Sequence, residues 1–225
     1  MKPLRITATF RSPVALDVPR WVALDALLAA VEAKRLGLPP VSVGGPEEVP
    51  IHVQQHAAGF SMASFGVAEI AAVDLVHLRR RFDRRSGAIL GRENSRKVNI
   101  ATGPYKQWNK PLRPVTVARA VWTAVGDQAW IEDTLTHVSS VGKRRNSGNG
   151  EVGRWTVEET ERFALWHPVQ DGVLRPVRTV PMDLAPREVD AEIPTIVARL
   201  TPPYWYHSGH QVLAAPPEWG ETCIS

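Results

Sequence analysis

Residues 4–11 alternate apolar and polar side chains, with Leu4, Ile6, Ala8 and Phe10 set against Arg5, Thr7, Thr9 and Arg11. A period of two predicts a strand with one face buried and the other in water, and Ser12-Pro13 ends it. After Pro19 the period changes. Strong helix formers run to residue 35, with Leu24, Leu27, Leu28 and Val31 on one face at i, i+3, i+4, i+7. That spacing predicts a core helix stopped at Gly37 and followed by a loop over residues 38–50. Residues 50–66 read as extended, a hairpin turning near Ala58-Gly59, and residues 73–82 as another strand with Val73, Leu75 and His77 on one side. From residue 83 to about residue 113 the apolar periodicity disappears, and so long a stretch without its own packing pattern points to function or to order gained on binding. Val115, Val117, Trp122 and Val125 among small residues mark residues 115–125 as a buried strand. Gly126-Asp127 then opens a second helix with Ala129, Trp130, Ile131, Leu135 and Val138 on its face, ending near Ser140. A loop containing three glycines follows, and then a strand over residues 151–158. Beyond residue 160, Pro168, Pro176, Pro181, Pro186 and Pro194 predict irregular strands and loops wrapped around the core. A last short strand covers residues 195–200, and Thr201-Pro202-Pro203-Tyr204-Trp205-Tyr206 makes a rigid aromatic turn.

Read coarsely, the order is βαββαβ. It predicts an α+β, ferredoxin-like (RRM-like) fold, an antiparallel sheet with two helices on one face and the other face free for single-stranded RNA. Residues 1–160 would form this domain, with a basic insertion at about 79–114. Residues 161–225 would form a proline-rich C-terminal extension packed on it. At 225 residues the chain can bury a substantial core. No apolar run reaches the length of a membrane span, and Met1 leads directly into the first strand without a signal-peptide pattern. The single cysteine, Cys223, leaves no intramolecular disulfide and no cysteine-based zinc site. These features predict a cytoplasmic protein with no membrane partner.

Charge changes the picture. The formal net charge of +4 conceals an asymmetry: residues 79–119 hold twelve Lys or Arg against two acids, and residues 142–154 hold four against one. Concentrated positive charge suits a nucleic-acid surface, because each neutralised phosphate releases counterions. In the first stretch Arg79, Arg81, Arg84, Arg85, Arg92, Arg96, Lys97, Lys106, Lys110 and Arg113 are interleaved with Tyr105 and Trp108. Cations that track phosphates beside rings that stack on bases suit a single strand of any sequence. Each ring equally fits the role of anchoring the loop to the core.

The second stretch is Lys143-Arg144-Arg145-Asn146-Ser147-Gly148-Asn149-Gly150. Glycines at 148, 150 and 153 let the backbone turn and let a polyanion approach the main chain. Exposed amides there can accept phosphate oxygens beside the three cations. A nucleotide-triphosphate loop would need its Lys, followed by Ser or Thr, after the glycines, whereas here the cations come first. The loop therefore reads as a polyanion cradle shaped by Ser147, Gly148 and Gly150, or as an ordinary helix-to-strand turn with solvated charge. No cofactor or metal is indicated.

The first strand, the helix Leu24-Asp25-Ala26-Leu27-Leu28 and a second helix running into Val141-Gly142-Lys143-Arg144-Arg145-Asn146-Ser147-Gly148-Asn149-Gly150-Glu151-Val152 together resemble the RAMP superfamily of CRISPR RNA-binding proteins. Gly103-Pro104-Tyr105-Lys106, Ala124-Val125-Gly126-Asp127 and Arg199-Leu200-Thr201-Pro202-Pro203-Tyr204-Trp205 are similar, more narrowly, to the Cas-five-type subunit of type IV CRISPR effector complexes. The resemblance spans most of the chain. It implies a non-catalytic protein that grips the five-prime handle of the guide RNA and caps the backbone assembly. Its partners would be a backbone RAMP subunit and a large subunit, with target DNA near the handle as a further contact. It also implies a basic hairpin, the thumb, for which residues 79–113 are the candidate by position. Family loops often carry an aromatic between the paired glycines, where this chain has Asn149.

The enzymatic alternative is a guide-RNA-processing endonuclease, in which a His acts as general base on a ribose hydroxyl without a metal. His52, His56, His77 and His137 are the candidates. His52 and His56 would share a face on a helix, but their extended context separates them. His207 and His210 flank the C-terminal aromatic turn without the carboxylate or Cys partners of a metal site.

Overall fold

The structure, a computed structural model, describes residues 1–16, 20–38, 49–80, 106–168, 174–186, 193–204, 206 and 208–218. Its elements in chain order are β1 (Lys2–Phe10), β2 (Val14–Ala15), α1 (Leu24–Arg35), β3 (Val67–Ala68), β4 (Ala72–Val73), β5 (Val76–Arg80) and β6 (Trp108–Leu112). These are followed by β7 (Pro114–Thr116), β8 (Arg119–Gly126), α2 (Gln128–Leu135), β9 (Val152–Glu159), β10 (Trp166–Pro168), β11 (Leu174–Pro176), β12 (Val180–Pro181), β13 (Thr195–Ala198) and β14 (Gln211–Ala214). The architecture is mixed α+β, built on antiparallel sheets and two helices.

The central sheet has the order β3-β8-β1-β9, and every neighbour in it is antiparallel. Its middle strand is the first one predicted, and the alternation does what a period of two requires. Leu4, Ile6 and Ala8 are fully buried, in register with Ala124, Trp122 and Ala120 of β8. They pack with Leu24 and Leu28 of α1 and with Ile131 and Leu135 of α2. Burying each of the larger side chains stabilises the fold by about 1.5–3 kcal/mol. The Trp122 indole donates to the Val22 carbonyl at 2.8 Å, so its one polar atom is satisfied inside the core.

Helix α2 starts as expected, because the Asp127 side chain caps it by accepting from the Trp130 amide at 3.2 Å. It stops at Leu135 rather than near Ser140. The Thr136 hydroxyl bonds back to the Asp133 carbonyl at 2.6 Å, and His137 and Val138 donate to Thr134 and Leu135. These short-range bonds tighten the last turn and end the helix. The strand expected over residues 115–125 is two strands, β7 and β8, because the chain leaves one sheet for another near Ala118, whose carbonyl accepts from Phe10 at 3.1 Å. Around Gly59 (φ 83) the expected hairpin closes through a Gln55–Ser61 bridge. Beyond the turn, Val53 and Ala63 bridge β8 instead of each other.

A second cluster, Phe60, Val180 and Ala214 with Leu165, Trp166, Leu184, Ile193 and Leu200, lies under the C-terminal segment. There β10 pairs with β11, and β12-β14-β13 form a three-stranded sheet. The proline-rich segment is thus a set of strands of two to four residues separated by loops, as the sequence predicts. Between the two clusters lies a wholly buried ion pair, Arg178 with Asp25 at 3.2 Å, both side chains 0% exposed. Arg178 also donates to the Ser61 carbonyl, to Leu200 at 2.7 Å and to the Tyr204 hydroxyl at 2.8 Å, and its guanidinium lies 4.8 Å from the Phe60 ring centre. Tyr204 donates in turn to Asp25 at 2.7 Å.

Removing one partner from such a network leaves the other charge buried and alone. Arg178→Met is therefore expected to cost about 3–5 kcal/mol and Tyr204→Phe about 1.5–3 kcal/mol, read as shifts in the urea midpoint. Burial first, and the Asp25 carboxylate second, raise the Tyr204 phenol well above its usual value of 10.0. The raised value belongs to the folded state, so this stabilisation is complete below the unfolded value and is lost as pH climbs through the folded one. Unfolding curves of wild type and Tyr204→Phe should accordingly converge at alkaline pH. Parallel curves there would show that the phenol does not ionise on unfolding.

Candidate nucleic-acid interface

The glycine turn is built by backbone constraints. Val141 donates to the Gly150 carbonyl at 2.8 Å, Gly150 to Pro13 at 2.8 Å, and Lys143 to Ala15 at 2.7 Å. Between these ties the chain makes a 3-10 turn over Arg145–Ser147, flanked by Arg144 at φ 57 and Gly148 at φ 79. Gly150 has φ 69 and lies so close to residue 141 that a Cβ would land on the Val141 carbonyl oxygen. The tight closure pushes the polar side chains outward. Lys143, Arg144, Arg145, Asn146, Ser147 and Gly148 are exposed, and Asn149 is half-buried. Arg144 and Arg145 form no salt bridge with a described residue. The Asn149 amide lies 3.4 Å from the Arg144 carbonyl and 3.5 Å from that of Ser147, long contacts that orient it across the turn.

A small sheet connects this turn to the basic insertion. Lys143 bridges Ala15 of β2, Ala15 pairs with Pro114 of β7, and β7 pairs with β4. Lys143 is thus two strand spacings, roughly 10 Å, from the residue at which the insertion returns to the core. Just outside this sheet, β5 and β6 form a two-stranded antiparallel ribbon. Strand β6 falls where the sequence shows no periodicity, since Pro111 and the polar Asn109 and Lys110 hide the alternation. Pairing puts Trp108 opposite Arg80 and Lys110 opposite Leu78, all on one face. The Lys110 ammonium lies 5.7 Å from the centre of the half-buried Trp108 ring. Arg79, with His77, Asn109 and Pro111, occupies the other face.

Of the residues predicted from sequence, Arg79 and Trp108 therefore lie on the ribbon, and Lys106 is exposed just before β6. Arg81, Arg84, Arg85, Arg92, Arg96, Lys97 and Tyr105 lie outside the described residues. Arg80 and Lys110 join Trp108 on its face, which only the register of a hairpin makes visible.

The four candidate histidines lie in separate surroundings. His52 stacks on Trp130 at 4.8 Å between ring centres and His56 on Phe60 at 4.5 Å, while His77 lies on the ribbon and His137 beyond the end of α2. The His56 ring also accepts from the Ala58 amide at 3.1 Å, which ties it to its own turn. Burial lowers the pKa of His167 in β10, away from the turn and the ribbon. Among the described residues no three His, Cys, Asp or Glu side chains cluster as a metal site would require, and no helix is long and apolar enough to cross a membrane.

The two glycines of the turn should respond differently to a methyl group. Gly148→Ala meets open space and carries only the left-handed backbone penalty, about 1–2 kcal/mol. Gly150→Ala must also displace Val141 and should cost distinctly more, with the Val141–Gly150 amide losing its protection in hydrogen exchange. Equal effects would show that the closure does not shape the turn. Compared with known proteins, the chain matches no family model and aligns significantly with no curated protein, so the functional reading rests on this geometry.

Proposed function

We propose that the chain is a non-catalytic, ferredoxin-like RNA-binding protein of the RAMP type. In this reading it grips the five-prime handle of a guide RNA in a type IV CRISPR effector complex, and backbone and large subunits pack against it. The observation that carries the reading is the short sheet Lys143·β2·β7·β4. It brings an exposed cationic glycine turn within about two strand spacings of the root of a basic ribbon bearing Trp108. Two further features support it. The order β3-β8-β1-β9, all antiparallel, with α1 between β1 and β3 and α2 between β8 and β9, is the order a ferredoxin-like reading calls for. The glycine turn also lies between the second helix and the last strand of that arrangement, where the RAMP resemblance expects it.

In mechanism, binding is electrostatic positioning with stacking. Arg144 and Arg145, with Lys143, meet phosphates, and the rigid turn holds the three at fixed spacing. On the ribbon, Arg80 and Lys110 flank a ring that can stack on a base of any identity. Because Lys110 already lies near the Trp108 ring, a base arriving there would meet a ring and a charge together.

The test is a titration of labelled repeat RNA without divalent metal, with the same samples run on a denaturing gel. Bound, intact RNA is expected, and discrete cleavage would instead indicate the endonuclease with a His base. Arg144→Ala with Arg145→Ala should lower the slope of log affinity against log salt by roughly 1.4, at about 0.7 per phosphate contact on a single strand. An unchanged slope would remove the glycine turn from the interface.

A further inference from the structure

The face of the central sheet opposite the helices carries a cationic row that neither the turn nor the ribbon includes. Thr9 of β1 is in register with Arg119 of β8 on one side and Arg154 of β9 on the other. Directly opposed residues point the same way. The three therefore form a line Arg119–Thr9–Arg154 whose outer backbone positions are about 10 Å apart. Four residues along β1, Arg5 continues the same face, in the row Thr123–Arg5–Glu158. Arg5, Arg119 and Arg154 are all exposed, and none forms a salt bridge with a described residue, Arg5 included although Glu158 stands opposite it.

The remaining positions between these rows are Val121, Thr7 and Thr156. Sheets that read RNA bases do so with rings that stack on them, and no aromatic residue lies among these positions. What the face offers is three guanidinium groups, which hydrogen-bond phosphate oxygens in a planar fork, and the Thr7, Thr9 and Thr156 hydroxyls, which can bond sugar or phosphate oxygens. The row also lies at the end of the sheet nearest the glycine turn. Arg11, two residues past Thr9, donates its amide to the Glu151 carbonyl at 2.9 Å, immediately after Gly150.

We propose that the Arg119–Thr9–Arg154 row with Arg5 is a second phosphate track, on which a single-stranded RNA leaving the glycine turn is held by its sugar-phosphate backbone and not read by base. The inference rests on the RNA-binding reading above and deepens it, by giving the sheet face that the ferredoxin-like order leaves free a backbone-holding role through named side chains. Base identity contributes nothing on this track, so the affinity it supplies is the same for any sequence and falls steeply with salt.

The experiment measures binding of fluorescently labelled oligo-uridine and oligo-adenosine, each 20 nucleotides long, by anisotropy across a salt series. It compares the full-length chain with Arg119→Ala/Arg154→Ala and with Arg144→Ala/Arg145→Ala. Thermal unfolding of each variant checks that it folds, and Arg119→Lys/Arg154→Lys provides a charge-preserving control. The Arg119/Arg154 double variant should lower the salt slope by roughly 1.4 on both oligomers equally, additively with the turn variant, and the lysine control should keep the slope. An unchanged slope in folded Arg119→Ala/Arg154→Ala, with wild type and the turn variant behaving as expected, overturns the sheet track while leaving the turn in place. A loss confined to one oligomer overturns backbone recognition. Absence of RNA binding by wild type overturns both readings, as does equal competition by polyglutamate, which would mark an acidic protein partner.

Discussion

One strand divides this protein into inside and outside. β1 is hydrogen-bonded along both edges, and its alternation sends Leu4, Ile6 and Ala8 into the core while Arg5, Thr7 and Thr9 face away from the helices. A slip of one residue would exchange the two sets, burying a guanidinium and exposing the three residues on which α1 and α2 pack. The register is therefore fixed by the cost of burying charge as much as by the gain of burying carbon. It also positions the end of the sheet that carries the glycine turn. Where the β1–β9 pairing shifts between Thr9 and Phe10, the chain runs on through Arg11 and Pro13, whose backbone groups hold Glu151 and Gly150. The glycine turn is thus tied to the central strand itself.

A different kind of constraint holds the C-terminal segment. Arg178 reaches Asp25 across 153 residues of sequence, and the pair is dry. A buried ion pair is weak evidence for stability as such, but this one is well satisfied. The guanidinium has carbonyls of Ser61 and Leu200 and the Tyr204 hydroxyl, and the Asp25 carboxylate has the Arg178 and Tyr204 donors and lies in the first turn of α1, where the helix dipole favours negative charge. Apolar packing could slide. Directional bonds to three separate segments, at Asp25, at Ser61 and at Leu200 to Tyr204, allow one seating, which fixes the extension against the helix.

What was legible in the sequence follows the same division between local and distant causes. The alternation of residues 4–11, the face of Leu24, Leu27, Leu28 and Val31, the Asp127 cap and the glycine turn are all written within a few residues, and each is found where the pattern puts it. Strand β6 was not legible, because it is the pairing with β5, and no alternation of its own, that orders Pro111 and its polar neighbours. Nor was β2, whose two residues pair with β7, nor the breaks that leave β4 and β7 only two or three residues long. Arg178 left a fainter trace: a lone arginine in Pro176-Val177-Arg178-Thr179-Val180, at an alternation position where a buried residue belongs. The cations of the sheet face were visible one at a time as polar members of alternating strands. Only the register shows that Arg119 and Arg154 flank the same threonine.

The spacing of these charges explains how the fold tolerates them. Neighbouring like charges on a sheet normally repel and destabilise, and here the turn, the ribbon root and the Arg119–Thr9–Arg154 row are all positive. Two strand spacings, however, come to about 10 Å, close to the Debye length of roughly 8–10 Å at 0.1–0.15 M salt. At that separation the exposed Arg119 and Arg154 are partly screened from one another, so the free protein bears little strain from carrying this pair. A polyanion threaded between them changes the balance, since each phosphate meets a cation at contact distance and gives up its own condensed counterions. The same spacing that makes the surface inexpensive when empty would make it favourable under the proposed ligand. It does so through the backbone of the ligand, which is the part every sequence shares.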